Sequence, residues 1–213
     1  MQEEVEMAAV AKDVETSLVL VLNQPVVTPF NPFDLIDAGL FTRDEVKKGP
    51  MDFGPGYVLR SKGGYQFLRD INRFQLLFDR HTSSDYQLIE RVAKSLFDSL
   101  KLPVVAMGVN FLYSGARELS KTVQDSMEVL KKVIVSSGEA ASGYSCVYTS
   151  GDVRCTLTIF PRRVVTGNSH SDVYDISINN HIQFTNENGF VSQMSRIQML
   201  KQSFETLLTK VVK

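Results

Sequence analysis

From residue 172 to residue 185, apolar and polar side chains alternate almost without interruption. Successive side chains of a β-strand point to opposite faces of a sheet, so this alternation predicts a strand with one buried face. The apolar side carries Tyr174, Ile176, Ile178, Ile182 and Phe184. The polar side carries Asp175, Ser177, Asn179, His181 and Gln183. We expect the first side to pack on a core and the second to face water or a partner.

Shorter segments of the chain show related strand patterns. Residues 17–22 form an apolar run that is too short for a core helix, and they predict a strand buried on both faces. Period-two patterns predict further strands at 57–60, 65–68, 73–78, 104–113, 144–148 and 153–157. The alternation shifts near residues 70–72, because the apolar Phe67 lies at an odd position before them and Phe74 at an even position after them, which indicates a bulge or a second turn.

Three long helices are predicted from apolar residues at three-four spacing, and a short one from a capping box of Thr42 and Glu45. The first long helix covers about 85–100, and the last covers the C-terminus. The three apolar stripes consist of Leu88, Ile89, Val92, Ala93, Leu96, Phe97 and Leu100; of Leu119, Val123, Met127, Leu130 and Ile134; and of Met194, Ile197, Leu200, Phe204, Leu207, Leu208 and Val211. Because such a stripe is unstable in water alone, the C-terminal helix is expected to belong to the core.

These elements predict an α+β fold, a largely antiparallel sheet of about seven strands with three long helices packed on one face. Hairpins dominate, and there is no strict alternation of strands and helices. The interpretation is a single domain over 1–213, with 1–14 as a flexible or loosely attached N-terminal segment. The alternative is a split near residue 115, although the two halves share no sequence repeat that aligns.

Composition and charge exclude several classes of protein. The net charge is −1, so the basic excess that is typical of nucleic-acid binding is absent. No apolar run approaches the ~20 residues of a membrane span. The acidic N-terminus is unlike a secretory signal, and two cysteines are too few for a disulfide scaffold. We therefore expect a cytoplasmic protein without nucleic-acid or membrane partners.

No strong catalytic signature is present, whether a phosphate loop, a nucleophile elbow or a zinc-protease helix motif. Residues 169–172 hold Ser, His and Asp, but neighbours in an extended chain point apart, so a polar loop is the better interpretation. His81, His170 and His181 lack the spacing of a metal site, although their convergence in space is left open. No cofactor, metal or catalytic residue is predicted.

Whether Cys146 and Cys155 lie side by side depends on the register of one hairpin. If Ser150 and Gly151 form a two-residue loop, Cys146 lies directly opposite Cys155. The prediction is then two free, buried thiols side by side. A three-residue loop would shift the register by one and place them on opposite faces.

The absence of catalytic patterns and the long amphipathic strand favour a non-catalytic protein-interaction or structural module that associates with a protein partner or with itself, as a homodimer. The expected interaction surface consists of Phe30, Phe33, Asp175, Asn179 and His181. One alternative is a small-ligand-binding domain, with an apolar pocket between the curved sheet and the C-terminal helix. A second is an enzyme whose residues converge only in the fold.

Overall fold

The structure is a computed structural model, and it describes residues 14–23, 34–37, 41–47, 51–53, 56–60, 65–78, 104–134, 143–166, 169–183, 193 and 195–213. The strands are β1 (Val14–Leu22), β2 (Met51–Phe53), β3 (Gly56–Arg60), β4 (Tyr65–Asp70), β5 (Arg73–Phe78), β6 (Val104–Ala116), β7 (Tyr144–Ser150), β8 (Val153–Thr166) and β9 (Ser169–Gln183). The helices are α1 (Asp34–Asp37), α2 (Arg43–Lys47), α3 (Lys121–Ile134) and α4 (Ile197–Val211).

All the strands belong to one nine-stranded sheet in the order β2-β3-β4-β5-β1-β6-β9-β8-β7. Every neighbouring pair is antiparallel. The chain order repeats on the two sides of the central β1–β6 pair. β1 is followed by α1, α2 and a meander whose last strand, β5, returns to β1, whereas β6 is followed by α3 and a meander whose last strand, β9, returns to β6.

The core lies on one face of this sheet. Its fully buried side chains include Phe67, Phe74, Met107, Phe111, Leu119, Ile159, Ile176 and Phe204. α4 covers this face, with Ile197, Leu200, Phe204, Leu208 and Val211 buried along one side. The ring of Phe204 stacks on that of Phe111 at a centroid distance of 5.8 Å. The prediction that the C-terminal helix belongs to the core is therefore confirmed.

The antiparallel sheet predicted from the sequence is confirmed, but the predicted number of strands is wrong. The sheet has nine strands rather than about seven, and the one without a predicted counterpart is β2, which forms within a stretch rich in glycine and proline that was interpreted as a loop. In the described part of the chain only α3 and α4 are long, and α1 and α2 span four and five residues. The helix predicted at about 85–100 lies outside the described residues, as does the N-terminal segment before β1.

Candidate interaction edge

The predicted polar face of β9 is confirmed. Asn179 and His181 are exposed and Asp175 is half-buried, while Ile176, Ile178 and Ile182 are buried on the opposite face. However, β9 pairs with β6 on one side and with β8 on the other, so its long amphipathic pattern does not belong to an edge of the sheet. Phe30 and Phe33 lie outside the described residues, so the predicted surface stays a prediction.

Asp175 is held by partners within the chain. Its carboxylate accepts hydrogen bonds from Arg162 at 2.7 and 3.1 Å and from the backbone N–H of Gly115 at 3.0 Å. Gly115 has φ 84°, a conformation that glycine adopts without strain, and it lies where the β6–β9 register shifts. The hydrogen bond from Arg162 is the main cause that lowers the pKa of Asp175. The side chain thus ties β6, β8 and β9 together, which leaves Asn179 and His181 as the exposed members.

Two strands, β2 and β7, form the edges of the sheet. β2 has three residues, and the central one is Asp52. Proteins commonly protect sheet edges by short strands and by charges, and β2 has both. β7 has seven residues, Tyr-Ser-Cys-Val-Tyr-Thr-Ser, with neither a charge nor a proline. Within the described part of the chain it is therefore a longer edge that lacks these protective features, here called the unprotected edge, and it is rich in residues that favour strands.

The hairpin of β8 and β9 extends past both neighbouring strands. β7 ends its pairing with β8 at Ile159, and β6 ends its pairing with β9 at Tyr174. Beyond Ile159, β8 continues as Phe-Pro-Arg-Arg-Val-Val-Thr and pairs, among the described strands, with β9 alone. A proline and two arginines oppose pairing with another strand, so this projecting part of β8 contains protective residues that β7 lacks.

The register of the β7–β8 hairpin decides which backbone groups of β7 face outward. Ser150 pairs with Val153 across a two-residue turn in which Gly151 has φ 62°. Residues that flank such a turn exchange hydrogen bonds with each other, and hydrogen-bonded pairs then alternate along the strands. The N–H and C=O groups of Ser145, Val147 and Thr149 consequently point away from β8, toward the open edge.

The orientation of this hairpin is fixed by the residue before α4. Arg196 donates hydrogen bonds to both carboxylate oxygens of Asp152, at 2.8 and 2.9 Å. This contact lowers the pKa of Asp152, so the carboxylate is charged at neutral pH. The turn at the end of β7 is thereby attached to the helix that covers the core.

The side chains of β7 leave an uncharged edge. Val147 is 55% exposed on the open face of the sheet, and Tyr148 is 38% exposed on the core side. A hydrogen bond with Cys146 is the main cause that raises the pKa of Tyr144, and burial raises the pKa of Tyr148. Both phenols therefore stay neutral at physiological pH.

The predicted pairing of the two cysteines is wrong, and of the two predicted buried thiols only Cys155 is buried, although both cysteines are free. Cys146 lies opposite Leu157, and Cys155 lies opposite Tyr148, because the turn consists of Gly151 and Asp152 instead of the expected Ser150 and Gly151. The two thiols are diagonal neighbours on the same face, beyond ordinary disulfide reach.

Cys155 is also engaged in a buried network. Its thiol donates a hydrogen bond to Asn180 Oδ1 at 3.4 Å, and Asn180 Nδ2 donates to the carbonyl of Val109 at 3.0 Å. Burial raises the pKa of the Cys155 thiol. The thiol is therefore protonated at neutral pH, which makes it a poor nucleophile.

The described part of the chain contains no group of three or more His, Cys, Asp or Glu residues that could hold a metal ion. His170 and His181 occupy distant positions of the same strand, β9, so they do not converge, and His81 lies outside the described residues. None of the described helices is long and apolar enough to cross a membrane.

Comparison with protein-family models gives no match, and comparison with curated proteins gives no significant match. Sequence reasoning missed β7 as an edge because the order of strands in a sheet is not a local property. The absence of charge and proline from seven consecutive strand-forming residues was the signal that could have found it.

Proposed function

We propose that this protein is a non-catalytic, self-associating interaction module of the cytoplasm that forms a homodimer by adding a strand at β7. The observation that carries the proposal is the unprotected edge, whose seven residues have neither charge nor proline. The other edge, β2, and the projecting part of β8 carry features that oppose strand addition. A second copy of the chain brings an equally uncharged strand to the edge.

The expected affinity is modest. The outward backbone groups of Ser145, Val147 and Thr149 provide hydrogen bonds worth about 1 kcal/mol each in net terms. Packing of the exposed Val147 and Tyr148 side chains adds buried apolar surface. Because association costs several kcal/mol of translational and rotational freedom, we expect a dissociation constant of roughly 100 μM.

The two alternatives raised by the sequence draw no comparable support from the described residues. α4 and the sheet, where an apolar pocket was envisaged, contact each other through Phe204 and Phe111. The cytoplasmic part of the proposal rests on the sequence, whose two cysteines are too few for a disulfide scaffold.

A charge at the centre of the edge tests the proposal. We expect the wild type to be dimeric by light scattering at high micromolar concentration and Val147→Lys to be monomeric, because an edge lysine opposes strand pairing. The matched control is Val165→Lys, since Val165 is a strand valine with 61% exposure that lies outside β7. This control should dimerise like the wild type.

Circular dichroism should show the same folded state for all three proteins. A wild type that stays monomeric up to about 1 mM would contradict the proposal, because that limit leaves only a few kcal/mol of affinity. A Val147→Lys variant that dimerises as tightly as the wild type would also contradict it.

A further inference from the structure

The geometry points to a symmetric antiparallel dimer in which β7 pairs with β7 of a second copy and Val147 lies on the two-fold axis. This inference rests on the proposed self-association and specifies its register. It joins the two sheets edge to edge into one continuous sheet.

The backbone N–H and C=O groups of alternate residues of β7 point outward, and this alternation favours one register. Ser145, Val147 and Thr149 face outward, and Val147 is the middle one. An antiparallel copy centred on Val147 places Val147 opposite Val147, and Ser145 opposite Thr149 of the second copy. Every outward residue of β7 then lies in a hydrogen-bonded pair.

Other antiparallel registers give hydrogen-bond partners to fewer of the outward backbone groups of β7. A shift by one residue places outward-facing residues opposite inward-facing ones, so the ladder does not form. A shift by two residues leaves Ser145 or Thr149 without a partner inside the strand. The register centred on Val147 is therefore the one that pairs the most backbone groups of the edge.

The same register brings uncharged side chains of the two copies together. Val147 meets Val147 on the open face of the sheet, and each Ser145 meets Thr149 of the second copy. On the core side, Cys146 meets Tyr148 of the second copy. All these pairs are uncharged, and hydroxyl pairs such as that of Ser145 and Thr149 stabilise neighbouring strands.

A contact between two copies of β7 also gives an assembly that ends at two chains. A contact between β7 of one copy and β2 of the next would be heterologous and would continue into a filament. β2 offers only three residues, with Asp52 at the centre. The β7–β7 contact is isologous and uses up the unprotected edge of both copies, so the assembly stops at the dimer.

Engineered cysteines test the register. In a Cys146→Ser background, Val147→Cys should form an intermolecular disulfide with itself, because hydrogen-bonded partners have Cα atoms ~5.5 Å apart. Ser145→Cys or Thr149→Cys alone should not crosslink, since their own copies lie several residues apart along the strands. A mixture of Ser145→Cys and Thr149→Cys proteins should crosslink, as detected by non-reducing electrophoresis and mass spectrometry.

The outcomes separate this inference from the proposed function. A wild type that is dimeric by light scattering, with crosslinking of Ser145→Cys alone or of native Cys146 to itself and none of Val147→Cys, would overturn the register while leaving self-association intact. A monomeric wild type with no crosslink in any variant would overturn both. The Val147→Cys crosslink together with the Ser145–Thr149 mixed crosslink would establish the two-fold pair.

Discussion

Replacing Phe204 by alanine removes the aromatic ring through which α4 contacts the centre of the sheet. The side chain is 1% exposed, and its ring stacks on that of Phe111 at 5.8 Å. Phe→Ala changes in a packed core cost about 3–5 kcal/mol, and a lost aromatic pair accounts for about 0.5–1.5 kcal/mol of such an effect. We expect the free energy of unfolding to fall by about 4 kcal/mol, a large part of the 5–15 kcal/mol of an ordinary domain.

Urea denaturation followed by circular dichroism measures this loss. The midpoint should fall while the m-value stays constant, because the surface exposed on unfolding hardly changes. The matched control is Met199→Ala on the same helix, because Met199 is 51% exposed and its loss should change stability by less than about 0.5 kcal/mol. A loss below about 1 kcal/mol for Phe204→Ala, or one equal to that of the control, would refute the packing of α4 described above.

Two further predictions concern the ion pair and the thiols. The folded-state pKa of Asp175 is lowered, so its stabilisation is complete above the unfolded value of about 4 and is lost as the pH falls through the folded value. Asp175→Asn should therefore flatten the fall of the melting temperature in this acidic range, and an unchanged pH profile would contradict this role. Mild oxidation of the monomeric Val147→Lys variant should give no disulfide between Cys146 and Cys155, because the residue opposite Cys146 is Leu157. An intramolecular crosslink found by mass spectrometry would contradict that register.

Local patterns predicted the faces of elements well. The alternation in β9 identified its buried and open faces, and the stripe ending at Val211 identified the buried side of α4. The capping box is present as well, since Thr42 N–H donates to Glu45 Oε2 at 2.8 Å. Each of these features depends on residues a few positions apart, which is the range over which strand and helix periods act.

Features that depend on distant parts of the chain were not predictable in the same way. β9 has the pattern of a strand with one open face, yet nothing in that pattern says that β6 and β8 lie beside it. The observed β7–β8 register differs from the predicted one because Gly151, with its positive φ, occupies the first position of the turn instead of the second. The register moved by two positions, so each residue kept its predicted face, and Cys146 and Cys155 still share one.

The repeated chain order on the two sides of β1 and β6 has a consequence for synthesis on the ribosome. β1 finds its first partner, β5, within its own half, but its second partner, β6, is made later, with Val14 opposite Tyr113. Until β6 emerges, β1 is an open edge with Leu18 and Leu20 on its core side. The nascent chain thus passes through a stage that exposes an apolar strand edge, at which binding by a chaperone or mispairing with another chain competes with folding.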